Sequence, residues 1–306
     1  MSHMPKRFIE RYENIVDDKE AFFSTLLKRT KKSFRVNTLK SSVSEVRKRM
    51  KSYGIEIKNM EWYPEAFVSE NPFVSSTLEH FLGYIYMQEL ASMLPVLAAR
   101  KDIRKAELVL DCCAAPGSKT TQMAAIMKDR GTIIANDLSY ERIRALKFNL
   151  EKSGVLNAVI TNQDIRFFKG GDKLRFDVVI LDAPCSSEGT VRKNPGILRN
   201  WSENYIRTLA GIQKQMISKA FEMLSEGGVM IYSTCTFAPE ENEEVAFSLL
   251  EKTGAQLEEI KIPKFRTSPG LDEWMGKKFG TEMEKAVRVW PHHNDTDGFF
   301  IAKITK

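Results

Sequence analysis

Two apolar runs of this chain each end at a cysteine, the side chain whose thiolate is the strongest nucleophile among those that form covalent intermediates. Residues 178–181 lead through Asp182 to Cys185, and residues 229–232 lead to Cys235. Such runs are typical of buried parallel strands. Because open α/β sheets bind ligands at the carboxyl ends of their strands, we expect both thiols at one sheet edge. The helix predicted just after Cys235 would stabilise a thiolate there.

An acidic and a basic side chain accompany the two thiols. Asp182 ends a buried strand three residues before Cys185, where a carboxylate can transfer a proton. Lys119, in the first turn of a predicted helix, could orient that carboxylate or donate to a substrate, although a surface lysine is the alternative. Cys112 and Cys113 are adjacent rather than spaced as in C-x-x-C pairs, so we predict no metal site.

A third apolar run, residues 108–111, leads into a loop of small residues, Cys113-Ala114-Ala115-Pro116-Gly117. Small residues before a helix let a ligand approach its N-terminus. Asp137, at the end of the next strand, could hold two ribose hydroxyls, and Asp164 could accept from the amine of adenine. A helix cap is the alternative role for such an aspartate. Because the loop lacks the dinucleotide and phosphate-loop glycine patterns, S-adenosylmethionine is the predicted cofactor.

From residue 108 onward, strand and helix patterns alternate, which predicts an α/β fold with a doubly wound, Rossmann-like sheet. We predict strands near 108–112, 132–136, 157–161, 176–182, 228–233 and 298–304. We predict helices near 118–128, 139–152, 203–224 and 240–252. Residues 261–297 show little periodicity and contain three prolines, so they are predicted to be an insertion or loop region.

The N-terminal third predicts a small α+β module. Residues 5–30 have helical periodicity, residues 34–39 have a strand pattern, and residues 42–53 form an amphipathic helix before further short strands. Lys and Arg number 19 against 13 Asp and Glu through residue 105, and 27 against 27 thereafter. A basic module on a neutral domain suggests that it binds a polyanion, most simply nucleic acid, although a solvated helix face is the alternative.

The composition is that of a globular protein of the cytoplasm. The 306 residues are 42% hydrophobic and 28% charged, and no apolar run approaches the roughly twenty residues that span a bilayer. The N-terminus is charged rather than apolar, so no secretory signal is predicted. Four cysteines are too few for a disulfide framework.

The chain resembles the Sun-domain RNA (cytosine-5) methyltransferases over nearly its whole length from about residue 33. The motifs that carry the resemblance are Asp111-Cys112-Cys113-Ala114-Ala115-Pro116-Gly117-Ser118-Lys119-Thr120, Asp137 with Arg142, Asp182-Ala183-Pro184-Cys185-Ser186, Ser233-Thr234-Cys235-Thr236 and Pro239-Glu240-Glu241-Asn242. Segments 34–38, 83–89, 288–292 and 297–302 also match. Ser118 stands where glycine is commoner, and Ser187-Glu188-Gly189-Thr190 is a variant of the loop after the first thiol.

The resemblance implies a role for each residue of the site. Cys235 would be the nucleophile that adds to carbon 6 of cytosine, Cys185 would assist product release, and Asp182 would bind the N3 edge of the ring. DNA cytosine methyltransferases instead use the Pro-Cys cysteine as nucleophile. The cofactor would be bound by Cys113, Ala114, Ala115, Pro116, Gly117, Lys119, Asp137, Arg142, Asp164 and Asp182.

The resemblance also implies an organisation and a partner. Residues 1–32 would be a helical extension, residues 33–100 an RNA-recognition-motif-like module, and residues 101–306 the catalytic domain. Phosphate contacts from the basic module would position the RNA, and Tyr84, Tyr86 or Phe34 could stack on bases, although core packing is the more common role. The expected substrate is transfer RNA and the expected state a monomer without membrane attachment.

Several alternatives stay open. Ribosomal RNA is the second candidate substrate. An N-directed methyltransferase would have Pro-Pro and an aromatic residue after the strand-end acid or amide, where this chain has Ala183-Pro184-Cys185. A non-catalytic RNA-binding or assembly factor would not need Asp182, Cys185 and Cys235 together. An NAD-dependent dehydrogenase would need the missing glycine fingerprint.

Overall fold

The computed structural model describes residues 4–169 and 174–306, and the chain begins with two short helices. These are α1 (Lys6–Tyr12) and α2 (Lys19–Leu26), where periodicity predicts helical structure over 5–30. The helical stretch is interrupted because Asp18 caps α2, its side chain accepting a hydrogen bond from the N–H of Ala21 at 2.9 Å. The two helices bury aromatic side chains against the C-terminal half of the chain.

A four-stranded antiparallel sheet follows, in the order β2-β3-β1-β4. Its elements are β1 (Lys32–Val36), α3 (Val43–Ser52), β2 (Lys58–Met60), β3 (Tyr63–Ser69), α4 (Leu78–Phe81) and β4 (Ile85–Met87). The α3 side chains Val46 and Met50 pack on Phe34 and Phe67 in the core of this unit. Since Phe34 and Tyr86 are buried, neither can stack on an RNA base without rearrangement. Tyr84 is half-buried.

Two short helices, α5 (Leu94–Ala98) and α6 (Arg100–Lys105), connect this sheet to the main one. A 3₁₀ turn occupies Ala91–Met93, and α5 begins at Leu94 with Pro95 in its first turn. Proline is favoured there because the first helical N–H groups have no intrahelical partner.

The main sheet confirms the predicted α/β class. Its parallel strands and their helices are β5 (Leu108–Asp111), α7 (Ser118–Met127), β6 (Thr132–Asn136), α8 (Tyr140–Ser153), β7 (Ala158–Thr161), β8 (Phe176–Asp182), α9 (Glu203–Glu222), β9 (Leu224–Thr234) and α10 (Glu243–Thr253). The parallel strands lie in the order β7-β6-β5-β8-β9. The order reverses direction next to β5, and such switch points are where α/β sheets bind ligands.

The C-terminal part adds antiparallel strands to the same sheet. Its elements are β10 (Gln256–Glu258), β11 (Ser268–Pro269), β12 (Glu273–Trp274), β13 (Lys277–Lys278), β14 (Val287–Val289), α11 (Pro291–Asn294) and β15 (Phe299–Thr305). β15 pairs with β9, and β14 and β11 continue the sheet beyond it. The prediction of a loop over 261–297 is therefore wrong at β11 to β14 and at α11. These elements have two to four residues each, which is too short for a periodic pattern to be visible in the sequence.

The core lies on both faces of the main sheet. Val179 and Leu181 of β8 pack into one hydrophobic cluster, while Val178 and Ile180 pack into another on the opposite face. This alternation is what a strand buried on both sides requires. It explains why β8 is a continuous apolar run that carries Asp182 to the sheet edge. No helix among the described residues is long and apolar enough to cross a membrane.

Candidate active site

The ends of β5, β8 and β9 meet at the carboxyl edge of the main sheet. Asp182 of β8 pairs in register with Ser233 of β9, which brings the segments after the two strands side by side. A cavity of about 580 Å³ opens at this edge. Its lining includes Cys113, Ala115, Asp137, Arg142, Asp164, Asp182, Cys185 and Cys235. The structure thus brings most of the predicted site residues to one cavity.

The two thiols lie in contact. Cys185 Sγ and Cys235 Sγ are 3.4 Å apart, although the residues are 50 positions apart in sequence. The contact between the two sulfurs lowers the pKa of Cys235 and raises the pKa of Cys185. This arrangement favours Cys235 as the thiolate and Cys185 as its protonated neighbour.

Ser187 is a residue of the site that the sequence did not single out. Its hydroxyl oxygen lies 3.6 Å from Cys235 Sγ and 4.0 Å from Cys185 Sγ. The backbone of Ser187 is left-handed, with φ of 60°, a conformation that non-glycine residues seldom adopt. This turn directs the hydroxyl at the thiols, where its hydrogen bond further lowers the pKa of Cys235.

We expect Ser187→Gly to move the pH dependence of Cys235 reactivity toward higher pH. Glycine adopts the left-handed turn without strain, so the loss of the hydroxyl is the main change. Because the hydroxyl lowers the pKa of Cys235, its removal raises that pKa and reduces the thiolate fraction at neutral pH. The alkylation rate of Cys235, followed by peptide mass spectrometry across pH, should fall about threefold to tenfold near pH 7.

The internal control for this variant is high pH, where Cys235 is ionised in both proteins and their rates should converge. A profile for Ser187→Gly that coincides with wild type at every pH would show that the hydroxyl does not influence the thiolate.

Asp182 is held from two sides at the end of β8. Its Oδ2 accepts from Lys119 Nζ at 2.5 Å, and its Oδ1 accepts from Ser233 Oγ at 2.8 Å. Lys119 Nζ also lies 3.3 Å from Ser92 Oγ, and its side chain is buried. Of the roles predicted for Lys119, the structure therefore places it where it orients the carboxylate. These contacts hold Asp182 at the cavity wall.

The turn after β5 forms the other wall of the cavity. Asp137 accepts from the N–H groups of Ala115 at 3.1 Å and Ser139 at 2.9 Å. The Arg142 guanidinium lies 3.6 Å from Asp137 and donates to the carbonyl of Ala115. Each carboxylate oxygen can accept more than one hydrogen bond, so Asp137 keeps capacity for a ligand's hydroxyl groups.

Three predicted cofactor residues shape this turn rather than line the cavity in the described structure. Gly117 donates its N–H to the carbonyl of Ala114 at 2.7 Å, which closes the turn. The carbonyl of Pro116 accepts from Asn149 at 2.9 Å. Gly117 has φ of 104°, and a Cβ atom there would lie 3.1 Å from Leu146. Glycine at this position therefore keeps the loop close to α8.

Asp164 lies at the cavity but already has a partner. Arg166 donates to both of its carboxylate oxygens, at 3.0 Å from Nε and 2.6 Å from Nη2. This contact lowers the pKa of Asp164 and keeps the carboxylate ionised. Arg166 also lines the cavity. An adenine at this wall would meet an Asp164–Arg166 pair rather than the lone acceptor predicted from sequence.

Buried carboxylates hold the loops that follow the two thiols. Glu188 accepts from Tyr12 Oη at 2.6 Å, from Thr236 Oγ1 at 2.8 Å and from the indole N–H of Trp201. Helix α1 is therefore joined to the segments beyond both cysteines. Glu241 accepts from the N–H of Ser186 at 3.0 Å, and burial raises the pKa of Glu241 to about 7.

The two adjacent histidines have a structural explanation. His292 and His293 each contact the carboxylate of Asp17 through Nε2, at 2.8 Å and 2.9 Å. Arg266 also pairs with Asp17 at 2.7 Å. The side chains of Asp17, His292 and His293 lie close enough together to hold a metal ion. The contacts of both histidines and of Arg266 with the Asp17 carboxylate explain this grouping without a metal.

Comparisons with known proteins agree with this geometry. Residues 98–305 match the family model described as 16S rRNA methyltransferase RsmB/F, and residues 4–90 match that of the N-terminal domain of 16S rRNA methyltransferase RsmF. The chain is 42% identical to a tRNA (cytosine(49)-C(5))-methyltransferase of Pyrococcus abyssi, over 98% of this chain and 96% of that protein. It is 39% identical to ribosomal RNA small subunit methyltransferase F of Vibrio parahaemolyticus, over 99% of this chain but only 63% of that protein.

Solved structures have the same fold. A methyltransferase homologue from Pyrococcus horikoshii superimposes with a TM-score of 0.87 at 35% identity, covering 99% of this chain and 95% of that one. NSun6 from Pyrococcus horikoshii, solved with SFG, superimposes with a TM-score of 0.85 at 25% identity, covering 99% and 98%.

Proposed function

Because the chain belongs to the RsmB/F (Sun-domain) family of S-adenosylmethionine-dependent RNA (cytosine-5) methyltransferases, we propose that it methylates carbon 5 of a cytosine in transfer RNA through a covalent adduct on Cys235. The observation that carries this mechanism is the thiol pair, in which Cys235 is the sulfur that favours the thiolate.

Cys235 starts the reaction. Carbon 5 of cytosine is a poor nucleophile until the thiolate adds to carbon 6 and makes the ring electron-rich. Ser187 and Cys185 both contact the Cys235 sulfur, and these contacts lower its pKa. The target base must leave its stack to reach a sulfur at this sheet edge.

Asp182 binds the ring while the thiol adds. Its carboxyl group, oriented by Lys119 and Ser233, would face the N3 edge of the cytosine. In its protonated form it would donate a proton to N3, which neutralises the negative charge that thiolate addition places on the ring. Lys119 supplies a fixed positive charge behind the carboxylate. Because both partners are held by further contacts, this arrangement needs little reorganisation during the reaction.

Cys185 completes the cycle. After methyl transfer, water accepts the carbon 5 proton, and the electron pair of that C–H bond forms the carbon 5–carbon 6 double bond. The Cys235–carbon 6 bond then breaks, Cys235 leaves as a thiolate, and N3 returns its proton to Asp182. Cys185 is protonated and 3.4 Å from the leaving sulfur. It therefore stabilises the departing Cys235 thiolate by hydrogen bonding, and product release depends on it.

The described residues fit the cofactor of the family. S-adenosylmethionine supplies the methyl group, and it carries a ribose and an adenine but no pyrophosphate. Asp137 would hold the ribose hydroxyls of the cofactor. The cofactor could lie close to the backbone around Ala115, which Arg142 holds in place through the carbonyl of Ala115. The cavity of about 580 Å³ extends from these residues to both thiols, which gives room for cofactor and base together.

The choice of transfer RNA rests on the extent of similarity. The chain spans 96% of the archaeal protein named for tRNA cytosine 49, but 63% of the Vibrio protein named for ribosomal RNA. The basic surplus of the first 105 residues would supply contacts to the phosphates of the RNA. Ribosomal RNA is the second candidate, because both matching family models are described by 16S rRNA.

We expect labelled methyl groups from S-adenosylmethionine to enter an unmodified tRNA transcript, with one or a few 5-methylcytosines found by bisulfite sequencing. Deproteinised 16S rRNA and small ribosomal subunits are tested in parallel at the same concentration and with limiting enzyme. Each should incorporate at least about tenfold less labelled methyl than tRNA, which is the scale on which enzymes discriminate between similar substrates. Efficient methylation of either ribosomal substrate with none of tRNA would reverse the substrate assignment.

A further inference from the structure

A second cleft lies beside the cavity that holds the thiols. It has a volume of about 550 Å³ and is formed by residues 185–206, between the end of β8 and the first turn of α9. Cys185 and Ser187 line both the thiol cavity and the second cleft, whereas Cys235 lines only the thiol cavity. A molecule in this cleft would therefore lie directly across the Cys185–Ser187 segment from the reacting base.

The walls of the cleft offer two aromatic rings. Trp201 is held by its indole N–H on buried Glu188 and by edge contact with Phe8 at 5.8 Å between ring centroids. Tyr205 is 52% exposed on the first turn of α9, whose N-terminus is capped by Ser202. Aromatic rings at the wall of a cleft are surfaces on which single-stranded bases stack.

The polar groups of the cleft suit a nucleotide rather than a cation. Asn194 and Asn200 line it and are exposed, and the Asn200 amide makes no hydrogen bond to a described residue. No lining residue is acidic, and the nearby Glu203 is paired with Arg7 at 2.7 Å. Arg199, next to Asn200 in the chain, is exposed and has no ion-pair partner among the described residues.

We propose that this cleft is a subsite for a nucleotide adjacent to the target cytosine in the RNA. Its base would stack on the exposed ring of Tyr205, the amides of Asn194 and Asn200 would contact its edge, and Arg199 would bind a neighbouring phosphate. Enzymes that flip a base commonly choose their substrate through the flanking nucleotides. This subsite presupposes the RNA methylation proposed above, but not which RNA carries the cytosine.

The test measures RNA binding without requiring catalysis. Affinity for an unmodified tRNA transcript is measured by fluorescence anisotropy for wild type, Tyr205→Ala and Tyr205→Phe. Loss of one stacked base should weaken binding by about tenfold in Tyr205→Ala, while Tyr205→Phe keeps the ring and should stay within about twofold of wild type. Glu222→Gln, at the far end of α9, is the matched control, and unchanged S-adenosylmethionine binding shows that each variant is folded.

Photocrosslinking then locates the contact. The same transcript, with 4-thiouridine in place of uridine, is irradiated with wild-type protein, and crosslinked peptides are mapped by mass spectrometry. Crosslinks within residues 193–206 are expected. Crosslinks confined to residues 1–105, together with unchanged affinity of Tyr205→Ala and of the independent variant Asn200→Ala, would overturn the subsite. Crosslinks in the cleft without methyl transfer would keep the subsite and remove transfer RNA as the proposed substrate.

Discussion

Cys235→Ala is expected to lose methyl transfer by on the order of 10⁴-fold or more, the scale seen when other enzymes lose a covalent nucleophile. Without a sulfur at this position, no adduct forms at carbon 6, and carbon 5 stays too weakly nucleophilic to react. Binding of S-adenosylmethionine should persist in this variant. The residues proposed to hold the cofactor, Asp137, Ala115 and Arg142, contact one another and not Cys235. Initial rates with saturating RNA and S-adenosylmethionine measure the effect.

Cys112→Ala is the matched control for the loss of a thiol. Cys112 borders the same cavity, but it is 1% exposed and its side chain packs in the hydrophobic core. Burial raises its pKa, so it remains a protonated thiol. We expect this variant to retain most of its activity. If Cys235→Ala remains active while Cys185→Ala is inactive, Cys235 is not the nucleophile. The nucleophile would then be Cys185, the cysteine that follows Pro184.

The second large effect is expected from Cys185→Ala. This variant should form the adduct on Cys235 but release it slowly, so that enzyme and RNA accumulate as a covalent complex. The reason is the 3.4 Å contact between the sulfurs, which stabilises Cys235 as a leaving thiolate. Removal of the Cys185 thiol also raises the pKa of Cys235, because that thiol is the main cause of its lowering.

A denaturing gel of protein mixed with labelled RNA measures this complex. Wild type should show a trace of shifted species, and Cys185→Ala should convert most of the enzyme into it, with turnover reduced by about 10²-fold or more, as for other disabled catalytic groups. The double variant Cys185→Ala/Cys235→Ala should show none. A shifted band that persists in the double variant would assign the link to another residue.

The sequence predicted the positions of the main strands well because buried parallel strands are continuous apolar runs. The run before Asp182 and the run before Cys235 both correspond to central strands, β8 and β9, which are buried on both faces. Their order and parallel pairing place both strand ends at one edge, so sequence alone could anticipate that the two thiols would be near one another.

Contacts between distant loops could not be predicted in the same way. Ser187 contacts the thiols because its backbone is left-handed, and a local sequence pattern does not encode that conformation at a serine. Glu188 meets Tyr12 across 176 positions, a pairing without any local signal. Strand β14 could not be predicted because three residues are too few to establish a period.

The most direct test of the mechanism is to identify the residue that carries RNA in the Cys185→Ala complex. The complex is digested with nuclease and protease, and the modified peptide is sequenced by mass spectrometry. We expect a cytidine nucleotide attached to Cys235 in a peptide that spans residues 231–237. A nucleotide attached to Cys112 or Cys113, or a stable complex whose peptides all lack a nucleotide, would contradict covalent catalysis by Cys235.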